Sequence, residues 1–120
     1  MSILNIDIQE IEEHLLINKE NKYLYGEVNT PFSLINEMFE LFPKDVFKNK
    51  NLKWLDVGAG SGNFSIILFH ILNKSLFDEI PDSQKRSKHI LEDMIYLIEL
   101  NPTSINLLKE RFGCNANIYQ

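Results

Sequence analysis

Three glycines at alternate positions, Gly58, Gly60 and Gly62, lie between a short apolar run and a long one. A glycine turn placed between a buried strand and a helix lets the backbone approach a ligand closely, because no Cβ intervenes, and aims backbone N–H groups at it. The spacing is G-x-G-x-G, and Asn63 stands where a dinucleotide fingerprint has its third small residue. That disfavours a nicotinamide or flavin cofactor. Glu99 closes a second apolar run, and an acid at the end of the second strand can accept hydrogen bonds from both hydroxyls of a ribose. It stands 37 positions beyond Gly62, where roughly 20 is usual, and the polar stretch from Asn73 to Lys88 accounts for the excess. Asp56, at the end of the first run, has a plainer role available, which is to pin the turn through backbone N–H groups.

These residues need two strands and a helix to hold them. Leu52 to Val57 reads as a strand, and Asn63 to Leu72 as a helix so apolar on all sides that it must be buried. Asp82 is a cap for a helix carrying Ile90, Leu91 and Met94, and Ile95 to Glu99 is a second strand. Asn101 and Pro102 open a further helix through Ile105, Leu108 and Phe112, Gly113 closes it, and a third strand starts at about Asn117. Upstream, Thr30 as N-cap and Pro31 at the first helical position start a helix through Leu34, Ile35, Met38, Phe39 and Phe42 that Pro43 ends. Residues 6 to 17 read as a short amphipathic helix. Alternating strands and helices with continuously apolar strands predict an α/β fold with parallel pairing.

The bulk properties narrow the function. The 120 residues, 44% of them hydrophobic, fit one small domain with a buried core. A net charge of -5 and a pI near 5.1 have the wrong sign for gripping phosphates unaided. Cys114 is the one cysteine, and the first residues lack the basic-then-apolar order of a secretion signal, so an intracellular setting is expected. The longest apolar run, Phe64 to Leu72, is interrupted by Ser65 and His70 and falls far short of the ~20 residues a membrane span needs. His14, His70 and His89 share no ligand or triad spacing with Cys114, so neither a metal site nor a catalytic triad is expected.

The run Leu55-Asp56-Val57-Gly58-Ala59-Gly60-Ser61-Gly62-Asn63-Phe64 resembles motif I of class I S-adenosylmethionine-dependent methyltransferases. Tyr25-Gly26-Glu27-Val28-Asn29-Thr30-Pro31 upstream, and His89 to Tyr96 running into Glu99-Leu100-Asn101-Pro102, make the chain similar to the N6-adenine DNA methyltransferases of restriction-modification systems. The resemblance implies a partial Rossmann-like sheet of three parallel strands with flanking helices, preceded by N-terminal helices. It implies a helix and linker over residues 1–22 and a truncated cofactor-binding domain over 23–120. Thr30 and Pro31 would then sit at the amino-acid end of S-adenosylmethionine, and the turn of Gly58, Gly60 and Gly62, with Asp56 and Phe64 beside it, would hold the methionine moiety. Glu99 would take the ribose hydroxyls and Leu100 would pack on the adenine. Asn29 departs from the aromatic residue the family carries before Thr-Pro.

The same family places an Asn or Asp-Pro-Pro-aromatic loop on the flipped adenine. No such tetrapeptide occurs here: Asn101-Pro102-Thr103-Ser104 lacks the second Pro and the aromatic, and reads as a helix cap. The expectation is therefore a fragment without catalytic residues, touching DNA only through missing segments or a partner chain. Its first strand would expose an apolar edge, open to a complementary methyltransferase half or to self-association. A methyltransferase acting on RNA, protein or a small molecule, and a non-catalytic interaction module of the same fold, are the alternatives.

Overall fold

Strands Trp54–Val57 (β1), Ile95–Ile98 (β2) and Asn117–Tyr119 (β3) pair in parallel in that order in the structure, a computed structural model that describes residues 30–120. The amphipathic helix expected over residues 6 to 17 and the Tyr25 to Asn29 block lie outside the described residues. Helices Phe32–Glu40 (α1), Asn63–Ser75 (α2), Ser83–His89 (α3) and Pro102–Phe112 (α4) complete the α/β architecture, with a 3₁₀ turn at Lys44–Lys48 and a π-helical turn at Ile90–Met94. This is the partial Rossmann-like sheet expected from the sequence.

α2 is the hub of the core. Ile66, Ile67, Leu68, Phe69 and Leu72 are all buried on it, and Phe32, Ile35 and Phe39 of α1 pack into the same cluster. Each such side chain contributes about 1.5–3 kcal/mol by leaving water, so α2 owes its place to burial on every side rather than to an amphipathic stripe. Asp82 caps α3 by accepting from the Gln84 and Lys85 amides. Asn101 caps α4, accepting from Thr103 N at 2.9 Å, with Pro102 at the first helical position where its missing N–H costs nothing.

The first strand starts two residues later than expected, α2 runs on to Ser75, and the helix capped by Asp82 passes into the π turn at Ile90; in α1 both boundaries differ. α1 begins at Phe32, with Pro31 rather than Thr30 at the cap and no side chain bonded there. The extended Pro31 backbone and the use of the Thr30 carbonyl elsewhere explain this one-residue shift. α1 also stops at Glu40, before Pro43, because the Leu41 and Phe42 amides turn back to the carbonyls of Met38 and Phe39.

Among the described residues the sheet is covered on one face. Ile95 and Leu97 are fully buried, whereas Leu55 is 61% exposed, Val57 71% and Tyr119 55%. The register sets Val57, Ile98 and Tyr119 in one row across the open face. Among the described residues β1 has a single neighbour, β2, and its other edge is unpaired.

Candidate functional site

The glycine turn links the ends of the two neighbouring strands. Gly58, Gly60 and Gly62 all have positive φ, at 74°, 57° and 87°, a region that L side chains enter only at a cost. The amides of Gly58 and Ala59 both donate to the Ile98 carbonyl at 2.9 Å, and Gly60 N donates to Glu99 Oε1 at 3.0 Å. Glu99 Oε2 accepts from Asn101 N, also at 3.0 Å. The acid predicted to face a ribose thus lies against the turn and is largely buried. Two ionised oxygens have about four acceptor directions between them, so two amides leave Glu99 able to take hydroxyl donors as well.

Most of the turn's amides are used within the protein, since Gly62 N in addition donates to the Ala59 carbonyl. Donors for a ligand come instead from the start of α2. Its first internal bond runs from Ile66 N to the Gly62 carbonyl and no side chain caps it, so the amides of its first turn are not consumed by the helix. These amides and the helix dipole favour a carboxylate or another anion there.

Asn63 ties this region to the segment before α1. Its Nδ2 donates to the Thr30 carbonyl at 3.1 Å, while its Oδ1 accepts from Ser61 Oγ at 3.0 Å. Thr30 is thereby held at the turn by its backbone, and Pro31 follows at the start of α1. Phe64 is half-buried beside Asp56 and Ser65. Leu100 stands 81% exposed next to Glu99, an apolar surface placed where a flat ring could lie.

Asp56 accepts from Ser65 Oγ at 2.8 Å. Burial raises its pKa, the Ser65 hydrogen bond opposes the rise, and the negative charge of Glu99 adds to it. A carboxyl whose folded pKa exceeds its unfolded value favours folding when protonated, so its ionisation costs stability as pH rises from the ordinary carboxyl range through the folded value. Asp56→Asn is expected to keep the Ser65 hydrogen bond and to melt at or above the wild-type temperature at pH 7, with the gain disappearing near pH 3. Thermal melts of both proteins at the two pH values check this.

The motifs mark Asn63 only by its place after the glycine turn, and they mark neither Ser65 nor Arg111 as part of a site. Ser65 was legible in principle, two residues into the helix that follows the turn and so within reach of Asp56. Arg111 gave no signal, being one more charged residue near a helix end, yet it is 3% exposed and its guanidinium donates to the Ser61 carbonyl. His70 packs edge-on to Phe69, His89 Nε2 lies 2.7 Å from the Lys50 carbonyl, and His14 lies outside the described residues. Among the described residues no cluster of His, Cys, Asp and Glu could hold a metal ion, and no helix is long and apolar enough to cross a membrane.

No family model matches the chain. Over 109 residues it is 34% identical to a protein of Mycoplasma pneumoniae named as an uncharacterized adenine-specific methylase, a match that covers 88% of the chain and 26% of the relative. The chain is therefore similar, along most of its own length, to about a quarter of a protein named for adenine methylation.

Proposed function

We propose that this chain is the cofactor-binding portion of an S-adenosylmethionine-dependent methyltransferase acting on N6 of adenine in DNA. The observation that carries the reading is the bond from Gly60 N to Glu99 Oε1, which sets a left-handed glycine turn and an acid side by side at the carboxyl ends of two adjacent parallel strands. Ligands of open α/β sheets bind at that end. The turn, the uncapped start of α2 and Thr30 form the amino-acid end of the site, and Glu99 and Leu100 its nucleoside end. The relative's name supports adenine as the target.

The sulfonium of the cofactor supplies an activated methyl group. What these residues do is bind and orient it: Glu99 accepts the ribose hydroxyls, the first turn of α2 receives the carboxylate, and Leu100 covers a face of the adenine. Alignment of the methyl group with the accepting nitrogen is the main demand of such a transfer, and this site fixes one of the two reactants. The acidic charge supports a reading in which other polypeptide grips the DNA phosphates. Calorimetric titration of residues 1–120 with S-adenosylmethionine is expected to show saturable binding with one site per chain; no heat from a folded chain would refute the cofactor assignment.

The open sheet face and edge take the remaining polypeptide. Parallel sheets are covered on both faces, and here a groove of about 220 Å³ runs along the free edge of β1, lined by Met38, Phe42, Trp54, Val57, Phe64 and Leu68. The buried Trp54 Nε1 has no acceptor among the described residues, at a cost of about 1–3 kcal/mol. The occupant is the kind of polypeptide that makes up the unmatched three quarters of the relative, adding a strand to β1. Mixed with that portion of the relative, the chain is expected to form a one-to-one complex by light scattering that Val57→Lys abolishes. Absence of a complex, or one indifferent to Val57→Lys, would contradict the pairing.

A further inference from the structure

The glycine turn is braced by α4 from a direction that no motif describes. At Gly62 an added Cβ would lie 2.8 Å from both Leu108 Cδ2 and Phe112 Cε2, so the helix packs directly against the turn's backbone. One residue away the Arg111 guanidinium donates to the Ser61 carbonyl, a contact that spans 50 positions of sequence. The opposite end of α4 is fixed to the nucleoside end of the site, because Asn101 N donates to Glu99 Oε2 and the Asn101 side chain caps the helix. A single helix thus touches Glu99 where it begins and the glycine turn where it ends.

A cation in the last turn of a helix is favoured by the dipole wherever it points, and a solvated one costs nothing. Arg111 is buried instead, and burial lowers its pKa against the opposing influence of Glu110. Taking a guanidinium out of water is costly unless its donors are used. Hydrogen bonds to charged groups are the stronger class, and this one ends on the peptide unit that joins Ser61 to Gly62. Its effect is to fix the orientation of that peptide, in a turn whose glycines would otherwise allow several. With Ser61 fixed, Gly60 N stays aimed at Glu99 and Asn63 stays in reach of Thr30.

We infer that Arg111 is a positioning residue, which through the Ser61 carbonyl holds the glycine turn in the arrangement that receives the amino-acid end of the cofactor. The mechanical half of this inference stands on the geometry alone; the half that concerns the ligand rests on the cofactor reading above. Arg111 acts only through the turn and does not itself contact the ligand.

The test compares Arg111→Met and Arg111→Lys with the wild-type chain by amide hydrogen exchange and by calorimetry. Arg111→Met is expected to speed exchange at Gly60 and Gly62 by about ten-fold or more while the β2 amides keep their rates, and Arg111→Lys to restore part of the protection. In the same proteins Arg111→Met weakens S-adenosylmethionine by about ten-fold and leaves adenosine, which lacks the methionine moiety, unchanged. Exchange that accelerates everywhere, or nowhere, would overturn the inference, as would equal weakening of both ligands. A wild-type chain that binds neither ligand would refute the cofactor reading, and the exchange rates would still decide whether Arg111 holds the turn. Should Arg111→Met fail to fold, unchanged exchange at Gly60 and Gly62 in Arg111→Lys beside full wild-type stability would count against it.

Discussion

Glu99→Ala removes cofactor binding from a chain that still folds. The carboxylate joins the turn to α4: Oε1 takes Gly60 N from the turn and Oε2 takes Asn101 N at the start of α4, each at 3.0 Å. Hydrogen bonds to a charged group are worth about 1.5–3 kcal/mol each. Losing two such bonds, to the two ribose hydroxyls, should weaken S-adenosylmethionine by roughly 100- to 10,000-fold, at about 1.4 kcal/mol per factor of ten. Glu99→Gln is not a silent control, because its amide nitrogen would present a donor to one of the two backbone N–H groups. Calorimetry should therefore rank wild type first, with both variants well below it. A Glu99→Ala chain that binds as tightly as wild type would remove Glu99 from the site.

Gly62→Ala is expected to produce the largest loss of stability among the turn glycines. The new Cβ would meet Leu108 and Phe112 at 2.8 Å, so a side chain must shift within the core, where Leu108 is fully buried and Phe112 is 3% exposed. Overpacking of this kind costs about 1–3 kcal/mol, and the φ of +87° adds about 1–2 kcal/mol for an L side chain. At Gly58 and Gly60 an added Cβ meets nothing within 4 Å, so there only the backbone cost of about 1–2 kcal/mol applies. Urea denaturation should accordingly show Gly62→Ala as the least stable of the three by about 1–3 kcal/mol. Gly60→Ala should fold better yet bind cofactor worse than Gly62→Ala would imply, because its cost falls on the residue that faces Glu99. Equal destabilisation at all three positions would mean that α4 does not brace the turn.

Much of this arrangement was legible in the residues. The apolar density of Asn63 to Leu72 required burial, the Asn101-Pro102 pair required a helix start, and the alternation of apolar runs with helices required parallel strands. The positions of Gly58, Gly60, Gly62 and Glu99 at facing strand ends followed from the same pattern. What the sequence could not carry was contact across distance. Asn63 bonded to Thr30 is a contact across 33 positions, and Arg111 bonded to Ser61 one across 50. Both depend on the angle at which helices cross, which no local spacing encodes. The cap at Pro31 was missed for a local reason: Thr30 is a good capping residue, but its carbonyl is held by Asn63 and the helix starts after the proline. The internal use of the turn's amides was likewise hidden, since a glycine pattern states that backbone can approach a ligand and leaves open which N–H groups remain for it.

With one ligand bound at the carboxyl ends of β1 and β2, amide chemical shifts read its placement residue by residue. With the isotope-labelled 120-residue chain titrated with S-adenosylmethionine, the amides of Gly60, Asn63, Phe64, Glu99 and Leu100 should shift together along one saturation curve, while those of α3 stay still. Shifts confined to α3 and the polar stretch before it, or none at all from a folded chain, would contradict the assignment of the glycine turn and Glu99 as a cofactor site.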